Sequence, residues 1–474
     1  MPSGQTCAPL VQQLRKLSDE LDTPFYAPGH KRGRGVARIL TDLLGKKVFS
    51  ADLPELPQLD NLFAPDSVIL EAQTLASQVF GALKTWFLVN GSTGGILAAI
   101  MAACEPDAKI IVPRNIHQSV ISGLILSGAI PIFISPRYDG EIDITYGITP
   151  VALSETLAKH PDTRAVLVVY PTYQGLCCDL ETIAAITHSY NIPLLVDEAH
   201  GAHFAFHPDL PPSALSCGAD LTVQSTHKTL GSMTQTAMLH LNSDRISPHR
   251  ISQALALVQS TSPNYPLLAS LDAARHQMAN EGFQLLSRTI NVSRKARAEI
   301  ALIKDLSVLS PHYRADITRL TVIVKDRGLT GYEVDEILQE KFRVTAELPS
   351  PYHITFIISI GNTEKDVDRL ITALKQLPAR PNFALFPQPP RSPNLWVSPR
   401  TAFFSPTTTV DIEASIDKIS AELICPYPPG IPLLIPGEII TAEAIDYLKQ
   451  IQELGGVITG CSDGKLRKIK IIAN

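Results

Sequence analysis

Three short segments carry residue types suited to chemistry, and each follows an apolar run. Asn90 to Gly95, NGSTGG, joins the run TWFLV to an apolar helical pattern. Glycines let a backbone approach a ligand, and a helix start offers free N–H groups and a positive dipole end. With the hydroxyls of Ser92 and Thr93 and the backbone of Gly94, this segment reads as a phosphate cup. A glycine turn closed by a Ser/Thr helix cap has the same signature. The second segment, LLVDEAHGAHF from Leu194 to Phe204, puts Asp197 at the end of a strand pattern. There it meets a ligand or simply caps the next segment. The third, QSTHKTLG from Gln224 to Gly231, puts Lys228 just after the run DLTV, among Ser225, His227 and Gly231. A near-buried lysine can lose its charge and act as a Schiff-base amine, whereas most lysines only decorate a solvated face.

The order of the three segments narrows the choice. Pyridoxal phosphate requires donors for its phosphate, an acid for its pyridine nitrogen and a lysine for its aldehyde. The chain offers them as cup, strand-end Asp197 and strand-end Lys228. The string DEAH also occurs in a class of helicases, but that reading needs an upstream G-x-x-x-x-G-K-[ST] loop, which the sequence lacks.

The elements that must position these residues form an alternating series. Short apolar runs at 85–90, 109–112, 131–134, 165–170, 193–198, 220–225 and 236–241 read as buried strands. Segments such as ETLAKH (155–160) and ETIAAITHSY (181–190) between them read as helices. The alternation predicts an α/β fold with a mainly parallel, seven-stranded-type sheet, whose ligands gather beyond the carboxyl ends of the strands. After about residue 310 the pattern becomes β-α-β-β-α: strands at 319–325, 343–348 and 353–359, helices at 334–342 and 366–377. This is a small α+β domain. A proline-dense stretch from Pro378 to Pro436 reads as extended chain wrapping the other parts, since proline removes backbone donors. Its apolar IPLLIP argues against a bare linker. A helix, EAIDYLKQIQELGG, and a short strand follow.

Composition sets the outer limits. Of the 474 residues, 45% are hydrophobic and 18% charged, the profile of a folded chain of two or three domains. A net charge of −5 argues against a nucleic-acid partner. No apolar stretch approaches the roughly 20 residues that cross a bilayer, and the N-terminus lacks a signal-peptide core, so no membrane partner is expected and the cytoplasm is the default compartment. The seven cysteines show no metal-ligand spacing and suit free thiols; no metal is expected.

The chain resembles the bacterial ornithine/lysine/arginine decarboxylases. The resemblance rests on FYAPGHKRG (25–33), DLPELPQLDNL (52–62), FLVNGSTGG (87–95), PRNIHQS (113–119), YPTYQG (170–175), VDEAHGAH (196–203), STHKTL (225–230) and YPPGIPLLIPGE (427–438). It implies an aspartate-aminotransferase type of large domain that binds pyridoxal phosphate, and decarboxylation of a basic amino acid, arginine ranked before lysine and ornithine. On that basis Lys228 would hold the cofactor's aldehyde and Asp197 its ring nitrogen. His117 would stack on one ring face, unless it is a helix-capping or core histidine, and Ala199 would lie against the other. Ser92, Thr93, Gly94 and Ser225 would hold the phosphate. His200 and His227 fall near the cofactor, and His227 is the candidate for orienting the substrate or returning a proton to the α-carbon.

The resemblance also implies four parts: an N-terminal arm (1–65), the large domain (66–310), the small domain (311–377) and a C-terminal decarboxylase-type domain (378–474). The wing domain of the large family members is expected to be missing. A homodimer or higher homo-oligomer is expected, with Asp52, Glu55 and Asp60 as acidic candidates for the substrate's distal cation, or else as capping and surface-pairing acids. Two other readings stay open. One is a different activity of the same fold, such as an aminotransferase gripping a carboxylate with Arg314, Arg319, Arg327 or Arg343, or a side-chain lyase. The other is a cofactor-binding regulator without turnover.

Overall fold

A computed structural model describes residues 4–310, 314–381, 388–390, 395–427 and 430–473. The seven apolar runs all form strands: β1 (Lys84–Leu88), β2 (Lys109–Pro113), β3 (Ile130–Ile134), β4 (Ala165–Val169), β5 (Leu194–Asp197), β6 (Leu221–Gln224) and β7 (Ala237–Leu241). They make one sheet in the order β1-β7-β6-β5-β4-β2-β3. Strand β2 pairs in parallel with β3 and β4, while β7 runs antiparallel to both β1 and β6. A mostly parallel sheet covered by helices is therefore present, with one reversed strand near its edge.

The chain divides into two compact units, 1–102 with 196–208 and 212–286, and 103–195 with 209–211 and 287–474. In the first unit the helix Gly91–Ala103 follows β1 directly. Gly91 turns the chain at φ +68°, a left-handed conformation that glycine adopts without steric cost. Gly95 lies so close to the sheet that a Cβ there would stand 2.6 Å from Val223 Cγ1 and 2.7 Å from Leu88 Cδ1. The helix is thereby pressed onto β1 and β6, which fixes where its first turn points.

In the second unit a four-stranded sheet runs in the order β8 (Ser307–Val308), β9 (Arg319–Ile323), β11 (His353–Ile357), β10 (Leu348–Pro349). The helix Glu364–Lys375 presents Val367, Leu370, Ile371 and Leu374 to a core shared with Leu320, Val322 and Ile354. The expected strand at 343–348 is a regular strand only from Leu348, though Glu347 N–H already bonds the Thr355 carbonyl. Its residues alternate between exposed and partly buried, but Val344 N–H bonds Leu338 and Ala346 N–H bonds Asp335, so the preceding helical turn takes donors a strand would use. Part of the proline-dense stretch differs from irregular extended chain, since Pro399–Phe404 is helical and the extended Thr407–Asp411 pairs as a strand with Lys468–Ile472. Leu434 and Ile435 of IPLLIP are fully buried, so this segment is core rather than linker. Residues 386–387 and 391–393 of FPQPPRSP, and Pro428 and Pro429, lie outside the described residues.

The three acids considered for a distal cation all serve the fold. Asp52 pairs with His30 at 3.0 Å, and Glu55 accepts from Leu62 N–H and the Asn61 amide. Asp60, buried, accepts from the backbone N–H groups of Asn61, Asp66, Ser67 and Ile69, closing the start of the helix Val68–Phe80. Burial alone would raise its pKa, but these donors outweigh it and hold the carboxyl below the usual carboxylate range. Its capping contribution is then full above the unfolded pKa of about 3.9 and is lost as pH falls through the lower folded value. Asp60→Ala should cost about 1 kcal/mol at pH 7. Urea unfolding at pH 7 and pH 3 should show the gap between wild type and variant narrowing in acid; a gap independent of pH would contradict the cap.

Candidate active site

The first unit brings most of the expected residues to the ends of β5 and β6. Asp197, the last residue of β5, is buried, and its Oδ1 accepts from Ala199 N–H at 3.2 Å. Ala199 and His200 are buried immediately after it. Beyond β6, Ser225 is fully buried and Lys228 is half-buried on the single helical turn Thr226–Thr229. Lys228 Nζ lies 3.0 Å from His200 Nε2. One member of that contact must accept, so the two cannot both be cations there. The geometry suits an amine that has to become a nucleophile.

The segment expected to form a phosphate cup brings two hydroxyls together. Ser225 Oγ donates to Ser92 Oγ at 2.7 Å, which places two hydroxyls at the start of the helix Gly91–Ala103. The turn is held from behind, where Gly91 N–H bonds Gln235, the Asn90 amide bonds Val258, and Val89 N–H bonds the Gln259 side chain. Thr93 is exposed, and Gly94 N–H bonds the Asn90 carbonyl at 3.3 Å. His227 is half-buried and gives its Nδ1–H to the Thr236 carbonyl at 2.7 Å. That bond leaves Nε2 as the ring atom able to exchange a proton.

His117 belongs to the second unit. It caps the helix Gln118–Ser127, its Nδ1 accepting from Ser119 N–H at 3.2 Å. The capping role set against ring stacking is thus real. Just before it, Arg114 Nη2 donates to Glu438 at 2.8 Å and to the Leu433 carbonyl at 2.9 Å, both charges being almost fully buried. The RNIH and IPGE motifs are clamped together by that pair. Sequence reasoning passed over it, and also over Glu198, because an acid or a base in a motif does not reveal what it faces.

Pyridoxal phosphate can be tested against these groups by their chemistry. A dianionic phosphate calls for hydroxyl and N–H donors at a helix start, an aldehyde for an amine, and a ring nitrogen for an acid. Ser92 with Ser225, Lys228, and Asp197 are those groups, and one unit carries all of them. Among the described residues no cluster of His, Cys, Asp or Glu could hold a metal ion.

A mostly parallel sheet of this order with a lysine, an acid and a hydroxyl cup at its strand ends defines a pyridoxal-phosphate enzyme of the aspartate-aminotransferase type. The chain belongs to the Orn/Lys/Arg decarboxylase family. Residues 8–323 match its major domain and 391–462 its C-terminal domain. It is 38% identical to an arginine decarboxylase of Bacillus subtilis (strain 168), over 98% of this chain and 97% of that one. An arginine decarboxylase of Halalkalibacterium halodurans is 40% identical, over 99% and 98%. A Francisella novicida lysine decarboxylase, LdcF, superposes with a TM-score of 0.85 at 23% identity, covering 99% of this chain and 81% of that one. The protein is a pyridoxal-phosphate-dependent amino-acid decarboxylase.

The hydroxyl pair gives a measurable consequence. Ser225→Ala removes one charge-assisted donor, worth about 1.4 kcal/mol, and should raise the Kd for pyridoxal phosphate about tenfold. Equilibrium dialysis of the apoprotein checks this, and an unchanged Kd would mean the phosphate is held elsewhere.

Proposed function

We propose that this chain removes the α-carboxylate of arginine as carbon dioxide and returns the matching amine, with lysine ranked second and ornithine third. The observation that carries the reading is Lys228 Nζ beside His200 Nε2, with buried Asp197 and the Ser92–Ser225 pair in the same unit. The names of the two bacterial relatives support arginine. When bound, the cofactor supplies an aldehyde for the substrate's amine and a ring that takes up the electron pair left when the carboxylate departs.

The protein's own residues do the rest. Lys228 gives the amine that anchors the cofactor and yields to the substrate's α-amine. Asp197 keeps a proton on the ring nitrogen, which makes the ring a better electron acceptor. Ala199 bounds the ring on one face. Ser92, Thr93, Gly94 and Ser225 hold the phosphate and so fix the orientation on which the choice of broken bond depends. His200 shares the Lys228 proton through Nε2, and His227 Nε2 is the atom proposed to return a proton to the α-carbon.

The small sheet's arginines support loss of the carboxylate over transamination. Arg319 is buried against Asp316, Arg327 gives its donors to the Lys304 and Leu377 carbonyls, and Arg314 pairs with Glu181. Arg319 and Arg327 are held by groups of the fold, which competes with gripping a substrate carboxylate, whereas Arg314 pairs at the surface and Arg343 is exposed.

The same reading extends to organisation and setting. The division into an arm (1–65), a large domain (66–310), a small domain (311–377) and a C-terminal domain (378–474) is proposed with it. So is a homodimer, supported by the helix Arg38–Leu44, which buries no residue and leaves Ile39 and Leu43 exposed. A cytoplasmic place in polyamine synthesis fits seven free cysteines and, among the described residues, no helix long and apolar enough to span a membrane.

The test is carbon dioxide release from carboxyl-labelled arginine, lysine and ornithine, each supplied separately to the holoenzyme. Arginine should lead by at least about tenfold in kcat/KM, or ~1.4 kcal/mol of transition-state stabilisation. A keto acid without carbon dioxide would make the enzyme a transaminase; no release from any of the three would overturn the substrate class.

A further inference from the structure

Glu198 follows Asp197 and is fully buried, yet none of the chemistry above uses it. Three donors converge on its carboxylate. Oε1 accepts from Ala214 N–H at 2.8 Å, while Oε2 accepts from Thr222 Oγ1 at 3.0 Å and from Gln224 Nε2 at 2.8 Å. The chain of bonds continues across the sheet. Gln224 Oε1 lies 3.2 Å from His240 Nε2, and His240 Nδ1 lies 2.8 Å from Thr85 Oγ1.

The register shows why these side chains meet. Thr222, His240 and Thr85 are directly opposite one another on β6, β7 and β1. Gln224 lies two residues along from Thr222 and so shares its face. Donor and acceptor roles are then fixed along the row. Gln224 gives its amide to Glu198, so its oxygen must accept the His240 Nε2–H, and His240 Nδ1 must accept from Thr85. Burial holds His240 neutral, its pKa pushed down to about 3.

Glu198 adjoins Asp197, and Gln224 adjoins Ser225, three residues before Lys228. We propose that the Glu198–Gln224 bond is the rivet that sets the strand end bearing Asp197 against the strand end bearing Ser225 and Lys228, making Glu198 a positioning residue for the cofactor. The inference rests on the pyridoxal-phosphate reading of this site. Of the three bonds, the one to Gln224 joins the two strand ends, and while glutamine stands at 224 it needs an acceptor at 198. Glutamine at 198 has nearly the same shape but would turn an NH2 toward a donor.

The test is made on the apoprotein and the holoenzyme together. Glu198→Gln should raise the Kd for pyridoxal phosphate at least tenfold by equilibrium dialysis. It should also weaken the visible circular-dichroism band of the bound cofactor at saturation, since that band reports a fixed ring orientation. The exchange Glu198→Gln with Gln224→Glu restores a carboxylate, an amide and the bond between them with reversed polarity. It should recover both readouts to within about threefold of wild type. A folded Glu198→Gln with wild-type Kd and band, or a folded exchange variant no better than Glu198→Gln, overturns the proposal. Should Glu198→Gln not fold, Gln224→Met removes the bridging amide while leaving Glu198 its other two donors. Its Kd should rise at least fivefold, and an unchanged Kd overturns the proposal equally. Failure of the underlying reading is distinct, because the wild-type protein itself would then bind no pyridoxal phosphate.

Discussion

Two carboxyl groups adjacent in sequence, Asp197 and Glu198, lie buried at the end of one strand, and much of the first unit is arranged around them. A buried acid must be neutralised or surrounded by donors. Glu198 is surrounded, with Ala214, Thr222 and Gln224 supplying three hydrogen bonds, although burial still pushes its pKa up to about 7. Asp197 receives the Ala199 N–H on Oδ1. A protonated pyridine ring is the kind of cation that a strand-end acid so placed can pair with. On the proposed reading the two neighbours divide the work, one holding the strands in register and the other pairing with the cofactor's ring.

That division explains why the site is built on strand ends. Strands β5 and β6 are buried along their whole length, so the residues just beyond them inherit fixed positions. The helix pressed onto the sheet at Gly95 brings Ser92 to Ser225 by the same logic. The cup, the acid and the amine are held by packing that has little to do with their own chemistry. A decarboxylase needs that rigidity, because the angle between the breaking bond and the ring decides which bond breaks.

Much of this was legible in the sequence. The seven strands were visible as apolar runs because buried parallel strands need hydrophobic residues on both faces. Asp197, Lys228, Ser92 and Ser225 stood out as polar residues following such runs in the order a cofactor would need, and the structure brings them into one unit. What stayed hidden depended on partners far along the chain. Asp60 closes a helix start with N–H groups up to ten residues away, a job no short motif announces. The 343–348 segment alternates like a strand, but the preceding turn takes its backbone donors. Arg114 and Glu438 form a buried pair across 324 residues of sequence. Glu198 is a single letter within DEAH, and only the register of β1, β6 and β7 shows what it meets.

The central claim is that Lys228 is the residue that carries the cofactor. The most direct test is to reduce the holoenzyme with borohydride, digest it, and locate the pyridoxyl mass by peptide mass spectrometry. The account requires the mass on the peptide containing Lys228, at Lys228 itself, with none in Lys228→Ala. A pyridoxyl group on any other lysine, or none in the wild-type protein, would contradict it.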